Sequence, residues 1–218
     1  MRPAGTPSRS RRRASGIEPH PLATRSASAV TSASCATRPP RALDGLEAIV
    51  ASYIQDYRPR AEVERRFYAR HASWEALLDT VGAARDMRGR RHSHQRRLAR
   101  VAMAAARRAL ASAGLRSATS FADLIAAVQD AIGGIQGIGE LMVYDTALRL
   151  GAFLGLEPDL VYLHSGTRQG AKALGLDHRR PALAMRELPA VLRSLRPREV
   201  EDLLCIYKDE LKRPLPLA

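Results

Sequence analysis

Two apolar-periodic segments meet at Gly133-Gly134-Ile135-Gln136-Gly137-Ile138-Gly139, and this turn constrains the fold more than any other stretch of the chain. Upstream, Phe121, Leu124, Ile125, Val128 and Ile132 fall at helical spacing, and Ser120 with Asp123 has the S-x-x-[DE] form of a capping box. Downstream, a helix is predicted from about Glu140 to Phe153, closed by Gly155 and Pro158. Glycine permits positive φ, so the link is very short, and Ile138 is predicted to plug it into a small core of its own.

The same periodicity predicts helices elsewhere. Leu43, Leu46, Ile49, Val50 and Ile54 mark the first, with Pro59 as its stop and Leu43 as the start of the fold. A short helix follows over Ala61–Arg70, and Ser73 caps one carrying Trp74, Leu77, Leu78 and Val81. The run His92-Ser93-His94-Gln95-Arg96-Arg97 is predicted to open a long helix with Leu98, Val101, Ala105 and Leu110 as its apolar face, ended by Gly114. A helix is expected over Thr167–Leu174, and Pro189 and Pro197 each suit a helical first turn. The last helix carries Val200, Leu203, Leu204, Ile206, Tyr207 and Leu211. Val161–His164 is too short to classify. Aromatics at only 5% leave a core of Leu, Ile, Val and Ala, which suits helix-on-helix packing. The expected fold is all-α: one multi-helix domain.

Charge divides the chain. Its net charge is +13, and residues 1–41 hold eight Arg against Glu18 alone, leaving +6 for residues 42–218. The expected organisation is a disordered basic tail over 1–41 and a folded domain over 42–218, with the hairpin at about 121–153. The tail overlaps in composition with transit peptides but has no apolar signal core. The Ala/Arg-rich remainder has the composition of a GC-rich bacterial genome, where an extended tail or an early start codon is the simpler account. Cys35 and Cys205 form neither a disulfide framework nor a zinc spacing, and no run of 18 apolar residues exists. The expectation is a cytoplasmic protein with no membrane span, no metal and no cofactor.

The turn has the sequence form of a helix-hairpin-helix. The first amides of its second helix lack intrahelical partners, and with the helix dipole they favour a phosphate. Such a hairpin holds one nucleic-acid strand by its backbone without reading bases. The alternative is a compact turn without a ligand. Between Ala109 and Leu176 the chain has four basic and six acidic residues, and Glu140 stands where a phosphate would approach.

On Gly137-Ile138-Gly139, followed at the same distance by Ala147-Leu148-Arg149 and then by Gly166 and Lys172-Ala173-Leu174, the chain resembles the helix-hairpin-helix DNA glycosylases, chiefly the alkylated-purine branch. The resemblance covers about 40 residues. It implies a helical fold, a duplex DNA partner and an Asp that supports the charge developing on the sugar. In bifunctional members it also implies a Lys nucleophile early in the second hairpin helix. Leu141 stands at that Lys position. Ungapped counting puts Asp159 at the Asp position, whereas alignment on Gly166 and Lys172-Ala173-Leu174 puts Thr167 there. The whole chain also resembles a group of bacterial proteins that supplies no activity to carry over. The shared segments are His94–Arg97, the hairpin with Tyr144-Asp145, Tyr162-Leu163-His164 with Gly166-Thr167-Arg168, and Leu204–Lys208.

Nine Arg and one acid, Asp86, lie between Arg85 and Arg108. His92 and His94 stand beside Arg96 and Arg97 without a carboxylate or Cys cluster, so the segment is read as a phosphate patch or a solvated charge run, not a metal site. Asp145 and Arg149 are i,i+4 partners, Tyr144 is assigned to the core, and Arg168 and Lys172 share a helical face near His164 and Thr167. The leading expectation is non-catalytic, largely sequence-independent binding of duplex DNA, with RNA as the other nucleic-acid partner. The residues are Gly137, Ile138, Gly139, Arg91, Arg96, Arg97, Arg168 and Lys172, gathered on one side of the domain. The second expectation is a glycosylase-like enzyme using Asp145 or Asp159 in a base-sized pocket. The third is a structural or protein-interaction module.

Overall fold

In a computed structural model the described residues are 45–213, so the tail over 1–41 and the expected start at Leu43 lie outside them. Helix α1 (Leu46–Asp56) forms on Ile49, Val50 and Tyr53, all buried. Pro59 does not stop it. α1 ends at Asp56, and Pro59 sits in the first turn of α2 (Arg58–Ala69), where a missing N–H removes no helical bond. Helix α3 (Trp74–Gly82) is capped by Ser73, whose hydroxyl accepts from the Ala76 amide at 3.2 Å.

The long helix expected from His92 starts later. Ser93–Gln95 makes a single 3₁₀ turn, and α4 runs Arg100–Ser112. Tertiary bonds hold the intervening segment out of helix. The buried Gln95 side chain reaches Asp145 and Arg149, and Arg91 Nη1 donates to the Leu98 carbonyl at 3.0 Å. The apolar face of α4 moves accordingly. Ala102, Met103, Ala106 and Leu110 are buried, while Val101 is 75% exposed.

Helix α5 (Phe121–Ile132) has the expected capping box, with the Asp123 amide on Ser120 Oγ at 3.0 Å and the Ser120 amide on Asp123 Oδ2 at 3.1 Å. Helix α6 (Glu140–Leu154) ends at Gly155 in the left-handed region. Strand β1 (Leu160–Tyr162) then pairs antiparallel with β2 (Ala182–Ala184), Val161 opposite Leu183, across the intervening α7 (Ser165–Ala173). Pro189 opens only a 3₁₀ segment, Ala190–Ser194, whereas Pro197 opens α8 (Pro197–Ile206).

The fold is mostly helical, with this one short pair of strands among the described residues, and the all-α expectation holds. Two apolar clusters build it. One joins α3, α4, α5 and α6 with Tyr68 of α2. The other joins α1, the two strands, α7 and α8. Helices α7 and α8 pack so closely that a Cβ at Gly170 would run into the Leu204 carbonyl. Among the described residues no helix is long and apolar enough to cross a membrane.

Candidate functional site

The connection between α5 and α6 is built by one left-handed residue and one plug. Gly137 has φ +89°, a conformation that costs a residue with Cβ roughly 1–2 kcal/mol. Ile138 is 8% exposed and packs into the first apolar cluster. Its amide donates to the Ile135 carbonyl at 3.0 Å, which closes the turn. Gly139 is the N-cap of α6 with φ −110°, extended backbone open to any residue, and no side chain caps the helix. Of the two, positive φ therefore accounts for Gly137 alone. Both are exposed, and a Cβ added to either would meet nothing within 4 Å. The tip is thus open to close approach by a ligand backbone.

Arg168 lies close to the tip but is already engaged. Its guanidinium donates to the carbonyls of His178 at 2.9 Å and Arg180 at 2.8 Å, and to Glu140 Oε1 at 3.1 Å. Lys172, one turn on, is exposed. Between α5, α6 and the start of α7 lies a cleft of about 340 Å³. Ile125, Val143 and Tyr162 supply its apolar lining, and Glu140, His164 and Arg168 its ionisable groups.

Behind the cleft is a buried polar cluster. His164 Nε2 is bonded to Glu201 of α8, and both side chains are almost wholly buried. The Tyr144 and His164 rings lie 6.0 Å apart, and the buried Tyr144 hydroxyl has no hydrogen-bond partner among the described residues. Burial pushes the Glu201 and Asp202 carboxyls well above the ordinary range, with Asp145 adding to the rise at Glu201 and Glu201 to the rise at Asp202. Burial also holds His164 below its ordinary value, against the opposing pull of Asp145 and Glu140. Thr167 is buried and fully used at the start of α7, accepting from the His164 amide at 2.6 Å and donating to the His164 carbonyl at 2.9 Å.

The other side of α6 carries a second network. At 3.6 residues per turn, Asp145 and Arg149 lie roughly opposite Glu140, Val143 and Tyr144. Arg149 pairs with Asp145 at 3.2 Å, and Gln95 bonds to both. The Arg149 guanidinium also lies 5.7 Å from the centre of the Tyr68 ring. The Tyr68 hydroxyl bonds to His92 Nε2 and the Arg85 carbonyl, each at 2.8 Å. His92 is thus tied into the fold beside Glu64, 3.5 Å away. Burial would lower the Arg149 pKa, but Asp145, Tyr68 and Glu64 together hold it up.

The expected residues therefore fall into separate places. Gly137, Ile138 and Gly139 form the tip, with Arg168 beside it through Glu140. Arg91 is half-buried on the Gln95 segment, and Arg96 and Arg97 are exposed just after it, beside the opposite face of α6. Asp145 is locked into the Arg149 and Gln95 network and does not line the cleft. Asp159 is exposed before β1, and Leu141 is half-buried in the first turn of α6. Sequence reasoning missed Glu201, Gln95, Tyr68 and Glu64. Their hydrogen-bond and ion-pair partners lie 17 to 54 residues away, so no local spacing signals them. Among the described residues no group of three or more His, Cys, Asp or Glu could hold a metal ion. No family model, no curated protein and no solved structure matches the chain.

Proposed function

We propose that the chain is a helix-hairpin-helix protein that holds nucleic acid, foremost duplex DNA, by its backbone and without base-specific readout. The observation that carries this reading is the tip itself. Left-handed Gly137, the plug Ile138 and Gly139 leave the first turn of a 15-residue helix without a side-chain cap, at a tip with open space around both glycines. Arg96 and Arg97 are exposed and without ion-pair partners among the described residues, and beside the opposite face of α6 they offer a second backbone contact separate from the tip; the net charge of +13 favours a polyanion. The non-catalytic part of the reading is supported by Leu141 at the lyase position, by Asp145 spent on Arg149, and by Thr167 spent on capping α7.

Fluorescence anisotropy of the full chain on a labelled duplex, across a salt series, tests it. Joint Gly137→Ala and Gly139→Ala substitution should weaken binding at least several-fold while the helical circular dichroism is retained. Arg96→Ala with Arg97→Ala should lower affinity equally for unrelated sequences and reduce the salt slope by about two. Unchanged affinity in the tip variant defeats the hairpin assignment. Strand cleavage or base release that vanishes with Asp159→Asn would make the protein an enzyme instead.

A further inference from the structure

Helix α2 presents a second cationic surface, which shares no residue with the hairpin tip or its cleft. Arg66, Arg70, Val63, Phe67 and Arg60 fall within about 120° of its wheel. The two acids of the helix, Glu62 and Glu64, fall outside that strip. Both are occupied elsewhere: Glu62 with Arg65, Arg196 and Arg198, and Glu64 against His92. Among the described residues none of Arg60, Arg66 and Arg70 has a carboxylate partner, and all three are exposed. Val63 is 50% exposed, an apolar side chain left uncovered between the guanidiniums.

This strip is a groove rather than a flat face. Val63, Arg66, Phe67, Arg70 and His71 line an open depression of about 500 Å³. Phe67 is only half-buried, and it is braced edge-on by Tyr68 at 5.0 Å and His71 at 4.9 Å. His71 is itself fixed, with Nε2 3.0 Å from Thr80 Oγ1. The groove therefore combines a rigid aromatic ring with two free guanidiniums one turn apart, about 6 Å along the axis.

We infer that this face of α2 is a binding surface for single-stranded nucleic acid, in which Arg66 and Arg70 hold phosphates and an unstacked base lies over Phe67. Guanidiniums neutralise a backbone of either form, but a half-exposed ring set between them is useful only where a base has left its stack. Two other occupants fit worse. The chain's own segment 1–41 has the same sign of charge at +7, and a second copy of a chain at +13 is repelled as a whole. The surface is separate from the hairpin, so it stands whether or not the tip binds duplex.

The test uses the full chain, a fluorescein-labelled oligo-dT of about 15 nucleotides and a duplex of the same length, over a salt series. Arg66→Ala with Arg70→Ala should reduce oligo-dT affinity about tenfold or more and cut the salt slope by about 1.4, at 0.7 per phosphate contact. Phe67→Leu, which keeps an apolar side chain at a site partly packed on the core, should weaken oligo-dT binding five-fold or more without changing the slope. Thermal melts of both variants should match the parent within a few degrees. Oligo-dT affinity and slope unchanged in the double Arg variant overturn the inference. So does an equal loss for duplex and oligo-dT in Phe67→Leu. Binding to phosphatidylserine vesicles that disappears in the Arg variant while oligo-dT binding persists would make the face a lipid contact and likewise overturn it.

Discussion

Gln95 Nε2 donates to Asp145 Oδ2 at 2.7 Å while Gln95 Oε1 accepts from Arg149 Nη1 at 3.2 Å, so one amide bridges both members of an ion pair on α6. The amide supplies a donor to the carboxylate and an acceptor to the guanidinium at once. The bridge fixes where the Arg91–Arg97 segment sits and explains why it is not helical.

Gln95→Leu should therefore destabilise the domain by about 1–3 kcal/mol, because two charged groups lose a buried partner. Urea denaturation gives the number. Amide exchange across residues 91–98 should accelerate more than exchange in α5, since the segment loses its anchor while the helix does not.

The His164–Glu201 pair sets a pH profile of stability. Glu201 has its pKa raised from an ordinary 4.5, so its contribution is present below that value and is lost as pH rises toward the elevated one. His164 has its pKa lowered from an ordinary 6.5, so its contribution is present above that value and is lost as pH falls. Between these ordinary values the two trends oppose each other. The Glu201 decline runs from 4.5 up to its raised value, at a limiting slope of about 1.4 kcal/mol per pH unit. Asp202, also raised by burial, adds to the same decline. Glu201→Gln should remove its own share of the alkaline loss. An alkaline limb of unchanged steepness in that variant would contradict the assignment.

Glu140 limits the proposed hairpin site. Its carboxylate sits in the first turn of α6 and pairs with Arg168 at 3.1 Å. Glu140→Gln should strengthen duplex binding several-fold at low salt and steepen the salt slope by up to about 0.9, as one repulsive charge goes and one guanidinium is freed. Affinity that falls in this variant would argue that no backbone approaches the tip.

Gly170→Ala should destabilise by about 1–3 kcal/mol, since its Cβ has no space against the α8 backbone and the helices must separate. Gly139→Ala, at an extended φ with nothing nearby, should be close to neutral for folding. The pair of melts separates glycine used for packing from glycine at an open tip.

The helices were legible where their determinants are local. Ser120 with Asp123, the plug Ile138, the left-handed Gly155 and the α5 stripe all follow from neighbouring residues. What could not be read is set by distant partners. His92–Arg97 has the pattern of a helix start but is held open by Asp145, Arg149 and Tyr68, which come from other elements. The strands are three residues each and pair across a whole helix, so neither carries a period of its own. At the site, the tip residues were legible because glycine spacing encodes a turn. The commitment of Arg168 to Glu140 and of His164 to Glu201 was not, because pairing across 28 and 37 residues leaves no mark in local sequence.

Helix α1 meets α8 across most of the described chain. Ser52 Oγ lies 2.8 Å from the Tyr207 hydroxyl, 155 residues away, and the Tyr53 hydroxyl donates to Asp202 at 3.1 Å, 149 residues away. On a ribosome, α1 emerges long before its partner exists. Ile49, Val50 and Tyr53 must wait, uncovered, while the α3–α6 cluster can already assemble from contiguous chain. Helix α1, made before the α3–α6 cluster, is thus sealed after it. Its exposed apolar face is the one a nascent-chain chaperone would meet, and truncation before α8 should leave a protein with one finished core and one that cannot close.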